Sequence, residues 1–188
     1  MADWEKRYRA GEHVGYEPHP LITTFVSALS PGVALDVACG TGRHAIWLAE
    51  HGWRVTAVDS SPAAIEILTR RAEEKAIRID ACIADLERDE FVIERESYDL
   101  IVVCNYLQRD LFESIREGTR IGGVVIAIIA MVDEDPHVQP MNAAYLLKPG
   151  ELPAEFEGWE LVHRFEGKPL GDPRRRATAE VIARRVEL

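Results

Sequence analysis

The residues best suited to chemistry begin with one short run, Asp36-Val37-Ala38-Cys39-Gly40-Thr41-Gly42. Its glycines let the backbone approach a ligand closely, and the amides of a helix that follows can face an anionic group. Asp59 ends the next apolar run, where a carboxylate can accept hydrogen bonds from the vicinal hydroxyls of a ribose. Asp85 and Asn105 follow two further apolar runs. Polar groups spaced in this way would suit a ligand that carries a nucleoside.

These positions belong to an alternating pattern of strands and helices. Strands are predicted over 33–38, 54–58, 78–84, 98–104 and 124–130. Helices are predicted over 43–51, from Pro62 after the capping residue Ser61, and over 108–118. Strands joined by crossover helices predict a Rossmann-like, doubly wound α/β fold, a three-layer sandwich around a mainly parallel sheet. In such a sheet all four polar positions meet at the carboxyl ends of the strands.

The end of the chain departs from this alternation. Two strand-like runs, 159–165 and 178–186, are joined by the Gly- and Arg-rich stretch 167–176 with no helix between them. This pattern predicts a C-terminal antiparallel hairpin. We expect one domain, with an N-terminal helical cap or lid over 1–30, a cofactor-binding core over 31–130, and a C-terminal loop and strand hairpin over 131–188. Within the cap, residues 1 to about 20 are expected to close over the cofactor; a simple helix packed on the sheet edge is the alternative.

Composition narrows the class of partner. The chain has 188 residues and a formal charge of −10, which disfavours binding to a phosphate backbone and favours a small molecule over nucleic acid. No apolar run reaches the roughly 20 residues of a membrane helix, and the N-terminus lacks the apolar stretch of a secretory signal. Three scattered cysteines and six histidines without zinc-ligand spacing predict no metal. We expect a cytoplasmic protein, monomeric or homodimeric.

The glycine spacing alone leaves the cofactor open. Gly40, Gly42 and Ala45 satisfy the dinucleotide fingerprint, with Asp59 roughly where that pattern places its acid. A nicotinamide-dependent reductase is therefore one alternative. Asp36 argues against it, because a dinucleotide site usually keeps an apolar residue at that strand position.

Taken together, the motifs Leu35 to Arg43, Val58-Asp59, Ala84-Asp85-Leu86 and Tyr98 to Ile101 resemble those of the class I S-adenosylmethionine-dependent methyltransferases. The resemblance covers nearly the whole chain. Three further stretches, 4–8, 18–21 and 146–150, are similar to small tellurite-resistance-like and thiopurine-methyltransferase-like members. Departures are Ala38 in place of the first glycine of the loop, and a fourth strand that lacks the motif of amino-group methyltransferases.

The resemblance implies a role for each motif. The loop would hold the methionine end of S-adenosyl-L-methionine, Asp59 the ribose, Ser60 and the Asp85 segment the adenine, and Asn105 would lie under the methionine. The implied cofactor contacts are Asp36, Ala38, Cys39, Gly40, Gly42, Asp59, Ser60, Asp85, Leu86 and Asn105. The implied contacts of the methyl acceptor are Tyr8, Tyr16, Tyr106 and Arg109.

The expected activity is in-line methyl transfer to a small molecule. Because the donor is already activated, positioning and exclusion of water can suffice, and we assign no catalytic residue. A noncatalytic S-adenosylmethionine-binding protein is a further alternative. Two simpler interpretations also stay open: that Asp85 only caps the acidic segment after it, and that Asn105 is an ordinary turn residue.

Overall fold

The computed structural model describes residues 4–168 and 176–187. The chain forms two compact units, Met1–Val92 and Ile93–Leu188. The boundary between the two units does not test the predicted division at residues 30 and 130, which stays a prediction. None of the helices in the described ranges has the length and apolar character needed to cross a membrane.

The first unit alternates helices and strands. In chain order its elements are α1 (Trp4–Arg9), α2 (Pro20–Val26), β1 (Val33–Val37), α3 (Arg43–Glu50), β2 (Arg54–Asp59), α4 (Pro62–Glu74), β3 (Ile79–Ile83) and a 3-10 helix, Leu86–Arg88. The three strands are parallel in the order β3-β2-β1, with Val37 opposite Val58 and Asp59 opposite Ile83. The predicted strands and crossover helices of this part are therefore confirmed, within one or two residues at their ends.

The helices begin where the sequence predicts. The Ser61 hydroxyl accepts a hydrogen bond from the Ala64 amide at 3.2 Å, and Pro62 opens α4. Gly42 begins α3 in the left-handed conformation at φ 79°. The apolar faces of these helices supply fully buried side chains, Leu48 from α3 and Leu68 from α4. Burial of such side chains against the strands is the main stabilising contribution.

The second unit holds the remaining elements. They are β4 (Tyr98–Cys104), α5 (Leu111–Gly118), β5 (Thr119–Ala130), a 3-10 helix (Ala143–Tyr145), α6 (Glu151–Ala154), β6 (Glu160–Gly167) and β7 (Thr178–Arg184). β4 and β5 are parallel, whereas β7 lies antiparallel between β5 and β6. The predicted C-terminal antiparallel hairpin is confirmed; most of its connecting stretch, residues 169–175, lies outside the described residues.

Two predicted elements differ in extent by more than two residues. α5 begins at Leu111 and not at residue 108. β5 begins at Thr119, five residues before the predicted start at 124 (124 − 119 = 5), because the Gly122-Gly123 pair lies within the strand, at a register irregularity. The connection between β3 and β4 contains only the short 3-10 helix, since the acidic segment after Asp85 offers a single buried apolar residue, Leu86.

Candidate functional site

The glycine loop, residues 38–42, follows β1 with three left-handed residues. Ala38, Gly40 and Gly42 have φ of 51°, 55° and 79°. The Cys39 amide donates to the carbonyl of Val58 at 2.9 Å, and the Gly42 amide donates to the carbonyl of Cys39 at 3.0 Å. The loop thus turns tightly at the carboxyl ends of β1 and β2. An alanine at position 38 stays in this conformation at a penalty of about 1 kcal/mol, so the departure from glycine leaves the turn intact.

Asp36 lies beneath the loop and caps the helix that follows it. Its side chain is 1% exposed, and Oδ2 accepts a hydrogen bond from the Ala45 amide at 3.0 Å. The carboxylate satisfies the first turn of α3, where Gly42 has no side chain to do so. Burial raises the pKa of Asp36 to about 7, against the opposing effects of the Ala45 amide and of Arg43.

Asp59 joins the glycine loop to the start of α4. Its Oδ2 accepts from the Gly40 amide at 2.8 Å and its Oδ1 from the Ser61 amide at 2.9 Å. Burial raises the pKa of Asp59, while these two amides act in the opposite direction. Two hydrogen bonds use about half of the lone-pair positions of a carboxylate, so each oxygen can accept one more.

The end of β3 lies beside Asp59. The Ala84 amide donates to the Asp59 carbonyl at 3.1 Å, and Ser60 is exposed next to it. Asp85 caps the 3-10 helix, with Oδ1 accepting from the Glu87 amide at 3.0 Å, and Leu86 is buried. Capping by Asp85 was one of the two open interpretations. The cap engages Oδ1, and Oδ2 lies 3.3 Å from Nε of the exposed Arg88, so each oxygen keeps one acceptor position for a ligand.

Tyr8 of α1 lies against the glycine loop. A Cβ built on Gly40 would meet the Tyr8 hydroxyl at 2.8 Å, so this glycine makes room for the tyrosine. Partial burial, with Asp59 and Cys39 nearby, raises the pKa of Tyr8 well above its usual value. Among the predicted residues of the first unit, the structure therefore brings together the loop, Asp36, Asp59, the Asp85 segment and Tyr8.

Tyr16 lies elsewhere in the N-terminal segment and is 65% exposed. One side of its ring is covered by the guanidinium of Arg71, whose Cζ lies 3.8 Å from the ring centroid. Its predicted contact with an acceptor stays a prediction.

Two residues of this region were missed by the sequence analysis. Arg71 of α4 donates to the carbonyl and hydroxyl oxygens of Thr41. Glu5 of α1 accepts from the Ser61 hydroxyl at 2.5 Å and from the Ala63 amide at 3.0 Å. The position of Arg71, three residues after Leu68 and so on the apolar face of α4, was a signal that this arginine is buried. Nothing in the sequence around Glu5 indicates its contacts.

The other predicted residues belong to the second unit. Asn105 is exposed in a left-handed turn at φ 60°, and its amide donates to the Ile128 carbonyl at 2.8 Å. The Tyr106 hydroxyl and Gln108 Oε1 lie 2.6 Å apart. Asn105 adopts the turn conformation that the simpler interpretation requires; its role toward a cofactor stays a prediction.

Arg109 is engaged within its own unit. Its nitrogens donate to Glu151 Oε1 at 2.5 Å and to the carbonyls of Ala144 and Leu146 at 2.8 and 3.0 Å. These contacts hold the 3-10 helix Ala143–Tyr145 and α6 in place. An acceptor would have to compete with them for the guanidinium.

Comparison with known proteins gives a consistent family. The model of the family described as "Tellurite resistance protein TehB" matches residues 6–175. The "Probable S-adenosyl-L-methionine-dependent methyltransferase TehB" of Haemophilus influenzae is 26% identical over 155 residues, which cover 79% of this chain and 53% of the relative. "Hemagglutinin 1" of Eikenella corrodens is 30% identical over 159 residues, which cover 81% of this chain and 52% of the relative. The chain spans about half the length of these curated relatives.

The fold agrees with a solved structure. The crystal structure of TehB from Haemophilus influenzae superposes with a TM-score of 0.78 at 23% identity, covering 96% of this chain and 67% of that chain. The predicted Rossmann-like fold, with a mainly parallel sheet and antiparallel C-terminal strands, is confirmed. Because the family model matches most of the chain, the protein belongs to the TehB family of class I S-adenosylmethionine-dependent methyltransferases, as the sequence motifs indicated.

Proposed function

We propose that this protein binds S-adenosyl-L-methionine and methylates a small molecule. The observation that carries the proposal is Asp59, a buried carboxylate held by one amide of the glycine loop and one amide at the start of α4. The name of the Haemophilus influenzae relative as a probable S-adenosylmethionine-dependent methyltransferase supports the same activity.

The residues of the first unit fit this cofactor. Asp59 would accept hydrogen bonds from the ribose hydroxyls, since its oxygens keep unused acceptor positions on a fixed carboxylate. Ser60, Asp85 and Leu86 would contact the adenine, with Leu86 supplying a buried apolar surface. Ala38, Cys39, Gly40 and Gly42 would line the methionine end, and Asn105 would lie under it.

Charge favours S-adenosylmethionine over a nicotinamide dinucleotide. Asp36 and Asp59 place two buried acidic groups by the glycine loop. Carboxylates attract the ammonium and sulfonium charges of S-adenosylmethionine and repel a pyrophosphate. The cofactor supplies an activated methyl group, whereas this chain has to orient the acceptor and exclude water.

The acceptor is proposed to be small, and its class remains to be measured. The negative net charge disfavours nucleic acid. The family description names tellurite resistance, so tellurite belongs among the oxyanions to be tested, beside thiols and small phenols. Tyr8, Tyr16, Tyr106 and Arg109 are the proposed contacts, and in-line transfer needs no acid or base from them. The three cysteines are free thiols, which supports a reducing cytoplasm as the proposed location. A monomer or homodimer stays a prediction.

The test is formation of S-adenosylhomocysteine across that panel. The wild type should turn over at least one acceptor, and Asp59→Asn should lower the rate at subsaturating cofactor. Asp80→Asn, an exposed carboxylate on β3, is the matched control and should behave as the wild type. Cofactor binding without turnover on the whole panel would favour the noncatalytic binder, and binding of NADH in place of S-adenosylmethionine would favour the reductase.

A further inference from the structure

Arg71 is a buried cation that connects two parts of the first unit. Its side chain is among the buried charged groups, at 3% exposure. Nη1 donates to the Thr41 carbonyl at 3.0 Å and to the Thr41 hydroxyl at 2.9 Å, and Nη2 donates to the Val14 carbonyl at 2.5 Å. The guanidinium also covers the ring of Tyr16. One side chain therefore holds both the glycine loop and residues 14–16 of the N-terminal segment.

The partners of Arg71 are unusual for a group that only stabilises a fold. No carboxylate lies within salt-bridge distance of its guanidinium in the described part of the chain, and its Nε has no hydrogen-bond partner there. Burying a guanidinium against neutral oxygens is unfavourable compared with an apolar side chain of similar volume. Fold stability alone therefore does not explain why a guanidinium is buried at position 71.

The contact with Thr41 controls the geometry of the glycine loop. Thr41 lies between Gly40 and Gly42, both in the left-handed conformation. Fixing its carbonyl fixes the plane of the Thr41–Gly42 peptide, whose amide donates to Cys39 across the loop. Arg71 thereby sets the direction of backbone groups that would face the cofactor.

The N-terminal segment, residues 4–19, is held by a few contacts and not by continuous packing. No residue of α1 is buried. A cleft of about 500 Å³ separates the segment from α4 and is lined by Tyr8, Tyr16, Arg70 and Arg71, among others. Contacts that hold it include those of Glu5 with α4, of Tyr8 with Gly40, and of Arg71 with Val14 and Tyr16. A segment held in this way can open and close without unfolding the unit.

We propose that Arg71 is a positioning residue for methyl transfer, which couples the conformation of the glycine loop to closure of the N-terminal segment. The proposal rests on the proposed function. When the loop is ordered by cofactor, the same guanidinium that binds Thr41 is fixed in place to hold Val14 and Tyr16. Loss of the guanidinium breaks this link even if the cofactor still binds.

The test measures ligand-dependent protection of the segment. Trypsin cleavage after Arg9, whose side chain is 65% exposed, reports whether α1 is docked. In the wild type, saturating S-adenosylhomocysteine should slow this cleavage about tenfold or more, since cleavage follows the open population. Arg71→Met should lose that protection at saturating ligand, and turnover should fall about tenfold or more. A merely structural role would lower the melting temperature but leave the protection ratio unchanged.

Two further variants sharpen the result. Arg70→Met changes the exposed neighbour in the same cleft and should keep full protection. Arg71→Lys retains the charge but has no planar guanidinium that can donate to Thr41 and Val14 together. This variant should therefore bind ligand, while its N-terminal segment remains unprotected from trypsin. The lysine variant also tests the proposal if the methionine variant fails to fold.

Full protection in Arg71→Lys or Arg71→Met would overturn the proposal. If the wild type binds neither S-adenosylmethionine nor S-adenosylhomocysteine, the proposed function itself fails and this proposal with it.

Discussion

Asp36 and His44 are buried groups on either side of the start of α3, and their pKa values affect stability in opposite directions. Burial raises the pKa of Asp36 from 3.8 to about 7, so its contribution to stability is full below its unfolded pKa and is lost as pH rises toward 7. Burial lowers the pKa of His44 from 6.5 to about 3, with Arg43 and His19 acting in the same direction. The contribution of His44 is therefore full above pH 6.5 and is lost as pH falls.

Asp36→Asn separates the two effects. The amide oxygen can still accept from Ala45, so the cap on α3 is kept while the titration is removed. Between pH 4 and 6.5 the variant should gain stability with pH faster than the wild type, by up to about 1.4 kcal/mol per pH unit. Urea denaturation at pH 4.5, 5.5, 6.5 and 7.5 gives the free energy of unfolding of both proteins. Parallel profiles would show that folding does not shift the pKa of Asp36.

Gly42 is required for both its conformation and its packing. A Cβ at this position would lie 2.6 Å from Cδ1 and Cγ of Leu68, at a φ of 79°. Gly42→Ala should lower the free energy of unfolding by about 2 to 4 kcal/mol, the sum of left-handed strain and overpacking. Gly11→Ala is the control, because its φ is 76° and no atom lies within 4 Å of its Cβ position. Equal losses in thermal denaturation of the two variants would remove the packing contribution of Leu68.

The N-terminal segment is docked on the first unit through its helix α1. Glu5 accepts from Ser61 and Ala63, and the Ser61 hydroxyl is the chief cause of the lowered pKa of Glu5. These contacts dock α1 on the start of α4, the helix that begins beside Asp59. The segment is thus positioned to respond to the cofactor site without forming part of the core.

Deleting the chain up to Tyr16 tests this role and leaves His19, which caps α2, in place. The shortened protein should keep its far-ultraviolet circular dichroism and cooperative unfolding, since no residue of α1 is buried. It should lose turnover and bind cofactor more weakly, because water reaches the site. Unfolding of the shortened protein, or full retained activity, would contradict the lid.

The elements themselves were largely predictable, and their long-range contacts were not. Tyr98–Cys104 was predicted with its observed bounds, because the apolar run from Leu100 to Cys104 ends at the polar residue Asn105. The pair Gly122 and Gly123 predicts the start of a strand after it, whereas β5 runs through the pair. A glycine pair can also be accommodated at a register irregularity within a strand. The strand-end aspartates Asp36 and Asp59 were predictable from spacing. Contacts such as Glu5 with Ser61 join residues far apart in the chain, so local patterns do not determine them.

At the scale of the whole molecule, the charge of −10 predicts what the protein does not bind. Nucleic acid should show no tight, strongly salt-dependent association, because the net charge repels phosphates. Fluorescence anisotropy with labelled DNA and RNA at about 50 and 200 mM salt measures this, since phosphate contacts weaken steeply over that range. Tight binding at low salt with methyl incorporation into the nucleic acid would identify a different class of substrate.

Isothermal titration calorimetry measures whether the glycine loop and Asp59 form an S-adenosylmethionine site. The wild type should bind S-adenosylmethionine and not NADH. Asp59→Ala should weaken binding by roughly 1.5 to 3 kcal/mol, the free energy of charge-assisted hydrogen bonds. Asp80→Ala, which removes an exposed carboxylate of the same unit, should leave the affinity unchanged. An unchanged affinity in Asp59→Ala, or binding of NADH in place of S-adenosylmethionine, would show that the loop and Asp59 do not form this site.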